Sequence, residues 1–290
     1  MNAIEQTLEL LSSDRAVIMG ILNVTPDSFS DGGRFASVEP ALAHALEMQA
    51  QGADIIDIGG ESTRPGAESV SVDEELRRVI PVIEALRQHS QVPISIDTSK
   101  PEVMCAAVAA GASLVNDVYA LRAPGAIATC AELAVPVCLM HMQGEPRSMQ
   151  QNPGYQNVVA EISEFLLARA QACIDHGIAK QHIILDPGFG FGKTTVHNLR
   201  MLAQIRIFCD SGFPILVGIS RKSMLGAILD RAVEERLSGS IAAAVLAWQQ
   251  GARFFRVHDV AETVDALRLC EAVTDAMKSL YPNASIGYEE

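Results

Sequence analysis

Eight short runs of aliphatic and β-branched residues punctuate the chain, at 16–24, 53–60, 93–99, 113–118, 135–141, 182–188, 214–220 and 252–259. Each ends in polar or glycine-rich residues, after which apolar positions resume at helical spacing, as in 38–52, 72–88 and 157–177. Near-continuous apolar runs of this length suit strands buried on both faces. Adjacent parallel strands cannot be joined by a tight turn, so the alternation of strand and helix predicts a parallel sheet with crossover connections. The first fifteen residues, MNAIEQTLELLSSDR, read as a short amphipathic helix that closes one end of the domain.

Eight strand–helix units close a barrel, and no Gly/Ser/Pro-rich linker divides the chain. The expected fold is therefore α/β, a single (β/α)8 barrel of the TIM type spanning residues 1–290 with a short N-terminal helix. An open doubly wound sheet would carry G-x-G-x-x-G after its first strand, where this chain has TPDSFSDGGRF. Composition fits: 49% of positions are hydrophobic, 20% charged and only 5% aromatic. The net charge of −13 excludes a broad basic face for nucleic acid, though a local basic cluster can still hold one small anion. No apolar run reaches the roughly eighteen residues that a membrane span needs, and the acidic N-terminus is not a secretory signal. The six cysteines are scattered without a C-x-x-C pair, as expected of reduced thiols in a cytoplasmic protein.

A barrel of this kind places its chemistry at the C-terminal ends of the strands. Asn23, Asp57, Glu61, Asp97, Asn116, His141, Asp186, Ser220, Arg256 and His258 all fall there. Helix capping accounts for one or two such residues, not for a polar end on every strand. Two long polar loops, 25–35 and 61–71, lie on the same face and are expected to close over a reactive intermediate and exclude water.

Within this set, Arg256 and His258 are two apart at a strand end, so they share a face and together suit a phosphate. The stretch DPGFGFGKTT (186–195) is not a phosphate-binding P-loop, because the position that must be glycine is Pro187. Asp186 is its better candidate, with glycines letting backbone approach a flat ligand and Phe189 or Phe191 as an apolar wall. ISRKS (219–223) opens a helix whose free N–H groups favour a carboxylate. Lys222 adds a mobile charge there, and Ser220 is a possible cap. Asp97, Asn116 and Asp186 could read the donor–acceptor edge of an aminopyrimidine-like ring or hold a divalent metal; spacing leaves both open.

The motifs GILNVTPDSFSDGGRF, DIGGESTRPGA, ISIDTSK, LVNDV, MHMQGEPRSMQ, ILDPGFGFGK, VGISRKSMLG and FRVHDV, in this order, resemble the dihydropteroate synthases of folate biosynthesis. The resemblance implies a transferase that condenses 6-hydroxymethyl-7,8-dihydropterin diphosphate with p-aminobenzoate, giving 7,8-dihydropteroate and pyrophosphate. It also implies a homodimer, a Mg²⁺ cofactor and sensitivity to sulfonamides. By the same resemblance Asp97, Asn116, Asp186 and Lys222 hold the pterin between Met140 and Phe191. Asn23, Arg64, Arg256 and His258 take the diphosphate, with Asn23 also a Mg²⁺ ligand. Phe29, Thr63, Pro65, Ser220 and the helix start at Lys222 shape the p-aminobenzoate pocket.

An aryl amine is neutral near pH 7, so the reaction needs no strong base. It needs stabilisation of a pterin methylene cation by Asp97, and of the departing diphosphate by Mg²⁺, Arg256 and His258. With Lys222, these are the expected catalytic residues. Two alternatives share the pterin-binding acids: a methyltransferase domain that serves a corrinoid, and a catalytically silent paralogue. The two long loops disfavour the first, and the presence of Asp97, Lys222 and Arg256 disfavours the second.

Overall fold

The computed structural model describes residues 2–25, 38–62, 69–145 and 148–280. The eight expected strands form: β1 Val17–Asn23, β2 Ile55–Gly59, β3 Ile94–Asp97, β4 Leu114–Asp117, β5 Val137–Met140, β6 Ile183–Asp186, β7 Leu216–Val217 and β8 Phe254–Val257. All are parallel, in the order β6-β5-β4-β3-β2-β1-β8-β7. A bridge between Leu185 and Ile215 brings the two edges together, with the Leu185 N–H donating to the Pro214 oxygen at 3.0 Å. β7 is far shorter than the run 214–220 promises, because Pro214 has no N–H to donate and β6 meets this strand only at that bridge.

Helix α1 (Ala3–Ser12) precedes the barrel, and α2 (Val38–Ala50), α3 (Val72–His89), α4 (Pro101–Ala110) and α5 (Ala126–Leu133) follow β1 to β4. α6 (Val158–Asp175) follows β5, and the pair α7 (Thr195–Ala203) and α8 (Ile205–Cys209) follows β6. α9 (Ser223–Leu229) and α10 (Leu237–Gln249) follow β7, and α11 (Val260–Leu280) follows β8.

α1 is held by a reciprocal cap, Asn2 Oδ1 accepting from Glu5 N and Glu5 Oε2 from Asn2 N, both at 2.8 Å. It lies across the N-terminal mouth as expected. Thr7 Oγ1 meets Ser113 Oγ at 2.8 Å, and Leu11 joins the barrel's inner layer of Val17, Met19, Ile55, Leu114, Cys138, Ile184, Leu216 and Phe254.

That inner layer positions the site. Side chains alternate along a strand, so a residue two beyond an inward one also points inward, one layer nearer the C-terminal mouth. Two residues beyond Ile55, Leu114, Cys138, Ile184 and Phe254 stand Asp57, Asn116, Met140, Asp186 and Arg256. The polar layer thus rests on a closed apolar floor, while the opposite strand faces bury their residues against the helices in a second, larger core. Register aligns neighbours across the layer: Asp97 pairs with Asn116, and Met140 with Asp186. Phe254→Ala, which empties a floor position only 1% exposed, is expected to cost about 3–5 kcal/mol, seen as an early thermal unfolding transition by circular dichroism.

Candidate active site

Asp57, fully buried, anchors the polar layer. Its Oδ2 accepts from Arg256 Nε at 2.6 Å, and the Arg256 fork continues to Asp97 Oδ2 through Nη2 at 2.9 Å. The Asn116 amide nitrogen lies 3.4 and 3.3 Å from the two Asp57 oxygens, which leaves its amide oxygen as an acceptor for a ligand. The neighbouring Asp117 points the other way, into the structure, accepting from Ser99 Oγ and from the N–H groups of Tyr119 and Leu121.

Burial pushes the Asp97 carboxyl up to about 7, with Asp57, Asp117 and Glu75 adding to the shift and Arg256 opposing it. Asp186 is pushed up to about 6, again by burial, although the Gly188 N–H donates to its Oδ1 at 2.7 Å. For Arg256 burial works against the charge, but Asp57 and Asp97 outweigh it and raise the guanidinium further. Lys222 is lowered to about 8 by burial and by Arg256.

One wall of the pocket is apolar. Val118, Met140, Met142 and Met149 form a cluster separate from the main core, with Tyr119 and Phe191 packed on it. Lys222 Nζ sits 4.2 Å from the centre of the Phe191 ring, so Phe191 joins this wall to the charged groups. The wall is rigid because two loops meet backbone to backbone. Gly188, at φ +70°, passes so close to His141 that a Cβ there would lie 2.0 Å from its carbonyl oxygen. Lys193, the lysine of the failed P-loop, fastens this contact from inside. Its ammonium reaches the oxygens of Gly188, Phe191 and His141 at 2.8, 2.9 and 3.3 Å, and His141 Nδ1 at 3.0 Å. Burial lowers Lys193 to about 7 and, aided by Lys193, lowers His141 to about 3, so the ring is a neutral acceptor. Both residues are buried, with the Lys193 ammonium fully engaged in this contact; Phe189 is also core, 1% exposed.

At the far side, Ser220 does not cap a helix. Lys222 occupies the N-cap of α9 without a side-chain hydrogen bond, and Ser220 Oγ instead lies 3.1 Å from His258 Nδ1. His258 is lowered to about 4 by burial and the nearby Arg256, so it acts at neutral pH as a hydrogen-bonding group rather than a cation. Asn23 ends β1, in register with Gly59 of β2. Glu61 is held at the start of its loop by Lys100, which also bonds the buried Glu75 at 2.5 Å. Phe29, Thr63, Arg64 and Pro65, with most of both long loops, lie outside the described residues.

The site therefore gathers acceptors (Asp97, Asp186 and the Asn116 oxygen) and donors (Lys222 and Arg256) together, beside an apolar wall. Two cations among these acids suit a ring with N–H and amino groups better than a metal. Among the described residues no group of three His, Cys, Asp or Glu side chains could hold a metal ion. The chain matches the family model described as pterin binding enzyme over residues 19–258. It is 54% identical to the dihydropteroate synthase of Escherichia coli (strain K12) over 262 residues, covering 90% of this chain and 93% of that one. It belongs to the dihydropteroate synthase family.

Among solved structures, the Xanthomonas albilineans dihydropteroate synthase with 4-aminobenzoic acid superposes with a TM-score of 0.86 at 55% identity, covering 90% of this chain and 94% of that one. The Yersinia pestis dihydropteroate synthase in complex with a sulfonamide drug gives 0.86 at 50% identity, covering 91% and 96%.

The sequence placed Asp57 at a strand end but gave it no task. Its inward position two residues beyond Ile55 was the available signal.

Folding tightens Asp97's hold on its proton, from an ordinary 3.8 to about 7. Ionising this side chain therefore removes stability progressively as pH rises through that window. Asp97→Asn lacks the penalty, so its melting temperature relative to the parent chain should rise from about pH 4 to pH 8. A flat or falling difference would contradict the burial of this charge.

Proposed function

We propose that the chain forms 7,8-dihydropteroate and pyrophosphate from 6-hydroxymethyl-7,8-dihydropterin diphosphate and p-aminobenzoate. The observation that carries this reading is the gathering of the acceptors Asp97, Asn116 and Asp186 with Lys222 and Arg256 beside Met140 and Phe191. A dihydropterin presents amino and ring N–H donors along one edge and a carbonyl beside them, complementary to that arrangement.

The C–O bond between the pterin methylene and diphosphate breaks first, its electron pair leaving with the diphosphate. Positive charge then develops on the methylene and the pterin ring, against Asp97. The Arg256 edge not engaged by Asp57 and Asp97 and the His258 ring receive the departing oxygens. The neutral amine of p-aminobenzoate closes the C–N bond and releases its proton to solvent or to pyrophosphate, so no side chain acts as a strong base. Lys222 orients the ring and helps hold the p-aminobenzoate side of the site, with Ser220, Phe29, Thr63 and Pro65 shaping that pocket and Arg64 joining the diphosphate contacts.

Asn23 offers an amide oxygen of the kind Mg²⁺ accepts, and a Mg²⁺ ion bound there would take its remaining ligands from the diphosphate and water. When bound, it supplies charge stabilisation to the leaving oxygens. The scattered cysteines, all free among the described residues, are consistent with a cytoplasmic location, and no described helix is long and apolar enough to cross a membrane. A sulfonamide should compete with p-aminobenzoate. The homodimer also has a physical basis: of 13 exposed large apolar side chains among the described residues, 12 lie beyond β6, on the stretch from α7 to α11.

Pyrophosphate release, measured with and without p-aminobenzoate in the presence of Mg²⁺, tests the reaction; binding of the pterin without release would refute it. Arg256→Lys keeps a cation between Asp57 and Asp97 but loses the planar fork, so turnover should fall about 100-fold with a small change in melting temperature. Leu246→Glu combined with Val273→Glu places charges on exposed apolar positions of α10 and α11. Sedimentation should then show a monomer where the parent chain is a dimer.

A further inference from the structure

Two residues of the segment after β7 pair with two of the segment after β8. Ser220 meets His258, and Arg221 meets Asp259 through Nε at 3.1 Å and through a second, shorter contact from Nη2. Arg221 is fixed on every side. Its backbone is left-handed, at φ +56°, its N–H donates to Ser240 Oγ at 3.0 Å, and its carbonyl accepts from Arg236 Nη1 at 3.0 Å. A bulky residue holds such a φ only where its surroundings over-determine it. The Ser220 hydroxyl, 8% exposed, is therefore held in one place against the β8 segment.

That hydroxyl makes two contacts, with the His258 main-chain N–H at 3.2 Å and with His258 Nδ1 at 3.1 Å. A main-chain N–H can only donate, so Ser220 Oγ accepts there. Its single proton then has one acceptor within reach among the described residues, the ring nitrogen Nδ1. Were Nδ1 protonated instead, the oxygen would accept twice and its own buried proton would be left unpaired, a costly arrangement. The surroundings keep the ring uncharged: burial, Arg256, Arg221 and Lys222 oppose a proton and outweigh Asp259, itself engaged by Arg221, which favours one.

We infer that Ser220 is a positioning residue that fixes His258 as the Nδ1-acceptor tautomer, so that the ring presents Nε2–H as a neutral donor to the leaving diphosphate. The part concerning diphosphate rests on the function proposed above; the tautomer itself does not. The Arg221–Asp259 pair holds the two segments in the register this bond needs.

The test uses the full chain labelled with ¹⁵N in its seven histidines, with His258→Gln identifying the His258 signals. At pH 7 the parent chain should show a pyrrole-type Nε2 and a pyridine-type Nδ1, and Ser220→Ala should drift toward a mixture of tautomers. Inorganic pyrophosphate should shift Nε2 in the parent chain. In kinetics, Ser220→Ala should lose about 10-fold in kcat/KM for the pterin diphosphate, the worth of one ordinary hydrogen bond, in addition to any change in KM for p-aminobenzoate, and Ser220→Thr should restore most of the loss. A protonated Nδ1 in the parent chain, or an effect of Ser220→Ala confined to KM for p-aminobenzoate, would overturn the inference. Absence of turnover in the parent chain with Nδ1 unprotonated would instead refute the proposed reaction and leave the tautomer assignment standing.

Discussion

The guanidinium of Arg256, shared between Asp57 and Asp97, is the interaction on which the site depends. Three carboxylates and two cations stand on the floor of a barrel that offers them little water, and each charge would be costly alone. The fork of Arg256 connects β8 to β2 and β3 at fixed distances, while Asp57 extends the connection to Asn116 on β4. Four strand ends are thereby fixed by one buried network. The elevated Asp97 and Asp186 carboxyls and the lowered Lys222 show that pairing only partly compensates burial. A ligand that supplied N–H donors to the acids would relieve that imbalance, which is the physical ground for the ring-binding role proposed above.

The apolar wall is prepared by different means. Its rigidity comes from glycine backbone pressed against the loop after β5, with Lys193 drawing three carbonyls and a histidine ring onto one ammonium. The lysine that a motif search would assign to a phosphate is thus turned inward and spent on structure. Electrostatics and shape are built separately, by the barrel layer and by the loops, and they meet where Lys222 lies over Phe191.

Such a site suits catalysis by placement rather than by proton transfer. In the proposed reaction the groups that receive the leaving oxygens are donors held by other residues, Arg256 by two carboxylates and His258 by Ser220. Donors oriented before the substrate arrives need little reorganisation as charge moves from the pterin methylene to diphosphate. The Arg221–Asp259 pair adds to that placement by joining the segment after β7 to the segment after β8.

The eight strands, their alternation with helices, the plugging helix and the polar strand ends follow from the sequence, because burial writes its period directly into the order of apolar residues. The candidate acids, Lys222 and the Arg256–His258 pair were legible for the same reason, since strand period sets which face each occupies. Other features depend on distances between segments far apart in the chain. The choice of Asp57 rather than water as the partner of Arg256 required β2 and β8 to be brought within hydrogen-bonding reach. So did the inward turn of Lys193 and the use of Ser220 on His258 rather than on a helix end. A sequence states which groups are available and on which side they stand; only closure of the barrel decides which of them meet, because desolvation leaves each buried polar group no partner but the one that folding brings to it.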